Sequence, residues 1–187
     1  MRALLLASLL MTLPAQAQMS VSAGSGIAHE CYEDAKDPHF PREHIATCTA
    51  ALDHGGISPA DRAATLVNRG VIYDVLKNYP AAWADYNAAL AINPNLGDAY
   101  VNRGAALMRM QRSDEGIEDV KKGLALGTSL PAVAYYDLAV AEENLGRIKD
   151  AYFDYKRSLM ADPNYKPAAE ALKFFKVETA PHAKPQP

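Results

Sequence analysis

Long hydrophobic runs are scarce in this 187-residue chain. The main one, Ala3–Leu13, covers eleven residues, and a helix needs about 20 to span a bilayer. Stable membrane insertion is therefore not expected. Dense Lys/Arg runs are also missing, and the formal charge is −3. That excludes nucleic acid and anionic membrane surfaces as expected partners. Period-two runs of β-branched residues are absent, while Ala and Leu dominate, so the fold expected is all-α. No G-x-S-x-G, H-E-x-x-H or G-x-x-x-x-G-K-[ST] occurs. The five histidines, His29, His39, His44, His54 and His182, have no evident nucleophile beside them. Neither an enzyme, a cofactor nor a metal site is predicted. The acid pairs Glu142-Glu143 and Asp114-Glu115 read as solvated helix surface.

What is present begins with the N-terminus, "MRALLLASLLMTLPAQAQ". One basic residue, Arg2, precedes the apolar run, Pro14 breaks it, and Ala15-Gln16-Ala17 follows. This is the pattern of a secretory signal over residues 1–17, with cleavage after Ala17. No Cys lies near the cut, so no lipid anchor is expected. The mature chain is expected in the periplasm or outside the cell. It would retain 18 basic and 22 acidic residues.

An exported chain meets an oxidising compartment, which makes the two cysteines informative. Cys31 and Cys48 sit on two short helical patterns separated by Asp37-Pro38 and Phe40-Pro41. A disulfide, two buried free thiols, and a metal site with His39 and His44 are the three readings. The disulfide leads, because no C-x-x-C or H-x-x-x-H spacing supports a metal.

The strongest signal is internal repetition. "VNRG" occurs at Val67–Gly70 and again at Val101–Gly104, 34 residues later, and Ala139 follows Gly104 by 35. Each segment splits into two helical patterns. Leu66, Gly70 and Tyr73 share one helix face, and Ala82, Tyr86 and Ala89 share another. Gly70, Gly104 and Ala139 are the small residues that allow two helices to approach closely. Tyr135, Ala139, Leu145-Gly146, Ala151, Tyr155, Ser158 and Pro163 repeat the scheme in the third segment. The chain resembles the tetratricopeptide repeat (TPR) family, whose unit is a pair of antiparallel helices, A and B. The second segment departs most. Leu107 and Val120 replace aromatics, Gly116 and Gly123 replace alanines, and Thr128 replaces the closing Pro. Two glycines in one helix cost roughly 0.8–1 kcal/mol each against alanine, so its second helix is expected to be the loosest.

The resemblance implies an α-solenoid of about three repeats, at 63–96, 97–131 and 132–164. Ahead of it lie a flexible stretch at 18–27 and a degenerate helical-hairpin cap at 28–58, stapled by the Cys31–Cys48 disulfide. Behind it come a capping helix at 165–177, with Ala168, Ala169, Leu172 and Phe175 inward, and a disordered tail at 178–187.

The resemblance also implies a concave groove lined by A helices. In the first repeat its residues would be Val67, Asn68, Val71 and Val75. In the second they would be Val101, Asn102, Ala105, Met108 and Arg109, and in the third Tyr136, Asp137, Val140 and Asn144. Asn68 and Asn102 would form an amide ladder able to hold a peptide backbone. Asp137 would turn the third rung to carboxylate. The competing reading is that both amides bond locally and Arg69 and Arg103 are solvated. The clamp some TPR proteins use for C-terminal carboxylates needs Lys/Arg on these faces, and this sequence offers mostly Val, Ala and Tyr. The function expected is binding of a protein or extended peptide, as an adaptor or assembly factor in the cell envelope. Self-association as a structural scaffold is the alternative.

Overall fold

The computed structural model describes residues 26–37, 41–53 and 56–175. The predicted signal, most of the 18–27 stretch and the 178–187 tail lie outside them. Among the described residues every regular element is an α-helix. They are α1 (Ile27–Lys36), α2 (Pro41–Asp53), α3 (Pro59–Val75), α4 (Tyr79–Ile92), α5 (Gly97–Arg109), α6 (Ser113–Ala125), α7 (Pro131–Asn144), α8 (Ile148–Ala161) and α9 (Lys166–Leu172). Helices α1, α3, α5, α7 and α9 are in the A position, and α2, α4, α6 and α8 in the B position. Each B helix packs against its own A helix and the next, and α3, α5 and α7 touch in succession. This is the α-solenoid. None of these helices is long and apolar enough to cross a membrane.

Local chemistry sets the boundaries. Ser58 caps α3: its Oγ accepts from Asp61 N–H at 3.0 Å and donates to the Asp61 carboxylate at 2.8 Å. Pro59 follows at the first helical turn, where a missing N–H costs nothing. Helix α3 thus starts four residues before the expected repeat boundary at 63. The A-to-B turn is the same device three times. A backbone bond closes back five residues, Asn78 N–H to Tyr73 O, Arg112 to Leu107 and Arg147 to Glu142. The residue before each donor is left-handed: Lys77 (φ 59°), Gln111 (φ 63°) and Gly146 (φ 73°). Only the last is the glycine such a helix end prefers. The second repeat lacks a closing Pro, and Asp98 at the start of α5 takes over. It accepts from Thr128 Oγ1 at 2.6 Å and from Ser129 N–H at 2.7 Å.

The core is a chain of small clusters between helices, as stacking requires. In the first repeat a Cβ on Gly70 would lie 2.5 Å from the Tyr86 ring. The second repeat corrects the expectation of a loose α6. A Cβ on Gly116 would lie 2.6 Å from the Gly104 carbonyl, and one on Gly123 the same distance from the Gly97 carbonyl. These glycines bring α5 and α6 backbone to backbone, so their propensity cost is offset by contact that no larger residue permits. In the third repeat Ser158 Oγ donates to the Ala132 carbonyl at 2.7 Å, in the slot of Gly123 and Gly97.

Cys31 and Cys48 are joined by a disulfide between α1 and α2, both buried beside Ile72 of α3. Helix α9 is shorter than the expected 165–177 cap. Ala168, Leu172 and Phe175 pack on α8 as expected, but Ala171 rather than Ala169 completes that face.

Candidate functional site

The groove residues predicted from the sequence divide into two groups. Val67, Val71 and Val101 are fully buried and belong to the core. Val67 packs with Ala82 and Tyr86, and Val101 with Ile117 and Val120. Ala105 is buried as well, and Met108 is turned toward α6, where its Cγ would meet a Cβ at Gly116. These side chains face the partner helix because one stripe of each A helix must bury against its own B helix. Asn68 is completely enclosed, with neither amide atom hydrogen-bonded, and Asn102 is buried too. Neither amide is open to an extended peptide in this structure. The second group keeps accessible surface: Val75, Arg109, Tyr136, Asp137 and Val140 are half-buried, and Asn144 is exposed.

Of this group, Arg109 and Asp137 belong to a charged cluster that crosses three A helices. Asp74 on α3 lies 3.7 Å from Arg109 Nη1 on α5. Asp137 on α7 interacts electrostatically with both. Burial pushes the Asp137 carboxyl up to about 7; Arg109 opposes that shift and Asp74 adds to it. Asp74 is pushed up to about 6, again by burial, against the pull of Arg109 and of the Tyr86 hydroxyl. That hydroxyl donates to Asp74 Oδ2 at 2.9 Å, while Asp74 Oδ1 has no hydrogen bond. The Arg109 guanidinium also stands over the Tyr79 ring, 5.7 Å from its centroid. Tyr136 continues the surface on α7, its ring 5.6 Å from those of Tyr155 and Tyr165.

Sequence reasoning missed Asp74. The signal was there: an acid in the apolar run "VIYDVL", seven residues after Val67 and so on the same helix stripe. Carboxylate character therefore begins in the first repeat rather than the third. The reading of Arg69 and Arg103 as solvated is also corrected. Arg69 forks onto Asp85 at 2.8 and 2.7 Å, and Arg103 onto Asp119 at 2.7 Å twice. Glu142 and Glu143 are not simple surface either. Glu142 is buried, and Glu143 accepts from the Tyr155 hydroxyl at 2.9 Å.

Two acids, Asp74 buried and Asp137 half-buried, share one guanidinium beside aromatic rings, and their raised carboxyls leave the centre partly ionised near pH 7. The chemistry of such a centre suits a cation, by direct charge–charge contact and by ring-face attraction. Among the described residues no cluster of His, Cys, Asp and Glu could hold a metal.

The tetratricopeptide repeat family model matches residues 132–165. Human tetratricopeptide repeat protein 28 is 38% identical over 78 residues, which are 42% of this chain and 3% of that protein. The ER protein translocation subcomplex subunit sec67 of Schizosaccharomyces pombe is 30% identical over 109 residues, covering 58% of this chain and 57% of the relative. The chain thus spans little more than half of one of these relatives and a small fraction of the other. Among solved structures, the first TPR of Spaghetti (RPAP3) bound to the HSP90 peptide SRMEEVD superposes with a TM-score of 0.57 at 24% identity, over 61% of this chain and 90% of that one. Residues 132–165 thus match the tetratricopeptide repeat model, and the all-α fold of the described residues is similar to that of a tetratricopeptide-repeat solenoid.

Proposed function

We propose that this chain is an exported, non-enzymatic binding module that holds an extended basic segment of a partner protein on its A-helix face. The observation that carries the reading is the Asp74–Arg109–Asp137 cluster across α3, α5 and α7. Asp137 is only partly ionised near pH 7 beside Arg109 and Asp74, and a Lys or Arg side chain from the partner would draw it into the charged form and complete the balance. The similar repeat module bound to SRMEEVD holds a peptide with three acidic residues. The same charge would meet Asp74 and Asp137 here, and like charges at a desolvated surface are strongly disfavoured. The partner therefore differs in charge from that peptide. Tyr136 and Tyr79 supply apolar contact for the alkyl stems of the basic side chains. The signal-like segment 1–17 supports an adaptor or assembly role in the cell envelope.

The test is a peptide array spanning a range of net charge, read by fluorescence anisotropy with the chain purified from residue 18 onward. Basic peptides should be selected, and Asp137→Asn should weaken them about tenfold. Selection that ignores charge, or full binding by Asp137→Asn, would sink the reading.

Self-association has an observation of its own. Met160 and Phe174, near the C-terminal end of the solenoid, are 81% and 75% exposed. Sedimentation at increasing concentration tests it, because a chain that stays monomeric removes that reading.

A further inference from the structure

The outer face of the solenoid contains a repeated electrostatic device that the third repeat omits. Arg69 on α3 and Arg103 on α5 occupy corresponding positions 34 residues apart. Each sends Nε and Nη2 to one carboxylate of its own B helix, Asp85 or Asp119. Each sends Nη1 to the preceding B helix, to Thr49 Oγ1 at 3.0 Å or Asn87 Oδ1 at 2.6 Å. The planar fork fits because a guanidinium offers parallel donors to a carboxylate. In the third repeat the acid is kept as Asp154, 35 residues after Asp119, but Leu138 stands where the arginine should be. A second change goes the same way. The slot held by Tyr73 and Leu107 becomes Glu142.

The arginine has been removed and an acid added, while Lys121 stands in the slot of Asn87, and a cleft of about 460 Å³ opens at that place, between α6 and α8 with α7 beneath. Leu138, Glu142, Asp150 and Asp154 line it, with Phe153 and Tyr135 as aromatic wall. Glu142 is 7% exposed and its Oε2 has no hydrogen-bond partner. Burial and the neighbouring Asp154 and Asp150 carboxylates push its carboxyl upward, against the weaker pull of Lys121 and Arg147. Two cations stand at the rim. Lys121 is paired with Glu118. Arg157, more than half exposed, reaches Asp154 Oδ1 through Nη1 alone. Neither reproduces the two-pronged bond of the earlier repeats.

We propose that this cleft receives an arginine side chain of a partner protein, which takes the place that Arg69 and Arg103 fill from within. The guanidinium forks onto Asp154, its remaining edge reaches Glu142, and its stem lies along Phe153 and Leu138. Lysine fits less well, because an ammonium is a point charge without the planar edge. This site is on the B-helix side and does not depend on the A-helix cluster.

The probe is Nα-acetyl-L-arginine methylamide, titrated into ¹⁵N-labelled chain and followed by NMR shifts. Saturable shifts should centre on Leu138, Glu142 and Asp154, with a dissociation constant on the order of millimolar, as befits one side chain. The matching lysine compound should bind several-fold more weakly, and the uncharged citrulline compound should not bind. Glu142→Gln should weaken arginine about tenfold, and Arg157→Ala should tighten it. Leu138→Arg, which restores the internal cation, should abolish binding. Equal shifts from arginine and citrulline overturn the proposal, as does binding unaltered in Glu142→Gln and Leu138→Arg. Free L-arginine bound more tightly than the blocked compound overturns the assignment to a partner protein and makes the ligand a small guanidino compound.

Discussion

The first and third repeats close their helix pairs with a buried tyrosine and a carboxylate; the second closes its pair with glycine and valine. Tyr86 donates to Asp74 across α3 and α4, and Tyr155 donates to Glu143 across α7 and α8. The corresponding residues of the second repeat are Val120 and Met108. There the aromatic ring is gone, and α5 and α6 close the gap by touching at Gly104, Gly116, Gly97 and Gly123. One helix pair thus uses a large side chain tied by a tyrosine–carboxylate bond, and the next uses backbone contact, with the Arg103 fork on Asp119 as its polar tie. The repeat pattern requires a filled interface and leaves the filling open.

Substitutions at matched slots break this comparison most forcefully. Gly116→Ala places a Cβ against the Gly104 carbonyl and should lose about 3 kcal/mol by overpacking, despite better helix propensity. The reciprocal change at the same slot of the first repeat, Ala82→Gly, should lose only about 1 kcal/mol. Urea denaturation of the two variants decides the matter. A Gly116→Ala chain more stable than wild type would remove the backbone contact from the account.

Tyr86→Phe comes next. It leaves the ring in place and strips Asp74 of its donor, so a loss of about 2 kcal/mol is expected, measurable by the same denaturation. Val120 has no hydroxyl to lose, so the tyrosine–carboxylate bond is confined to the neighbouring repeats.

The carboxylates separate the repeats by pH. Asp74 and Asp137 are raised from an ordinary value of 3.8 to about 6 and about 7. Between those limits the folded chain binds more protons than the unfolded one. Stability from these groups is therefore greatest below pH 4 and falls as pH rises toward 7. Asp74→Asn with Asp137→Asn should flatten that fall, holding Tm a few degrees higher at pH 7.5 than wild type does relative to pH 4. A parallel pair of Tm profiles would count against the buried carboxylates.

The smallest effect belongs to the turns. Lys77→Gly and Gln111→Gly relieve left-handed side chains and should each add about 1 kcal/mol, whereas Gly146→Ala should subtract about as much. Calorimetry on the three variants tests whether the turns are interchangeable.

The helix pairs, their spacing and the small residues at closest approach were legible in the sequence, because a stacked array repeats its demands at fixed intervals. Less legible was the direction in which a given A-helix residue points. Val67 and Val101 lie near the groove on a helical wheel, yet the partner B helix claims them. Ion pairs between helices were hidden for a related reason. Arg69 and Asp85 are 16 residues apart, and only the antiparallel return of α4 brings them together. Glycine was misread because propensity describes an isolated helix, and Gly116 acts on the distance between two.

Only one end of this stack is tied covalently. The disulfide fastens α1 to α2 across 17 residues, a closure that removes about 3 kcal/mol of freedom from the unfolded chain. Helices α3 to α9 depend on neighbours alone. The array is consequently anchored more firmly at the α1–α2 hairpin than at α9, so loosening is expected to start at α9 and travel inward, with re-closure templated at α2. Under tension the last contacts to part are those beside Ile72, where α3 leans on the bridged hairpin.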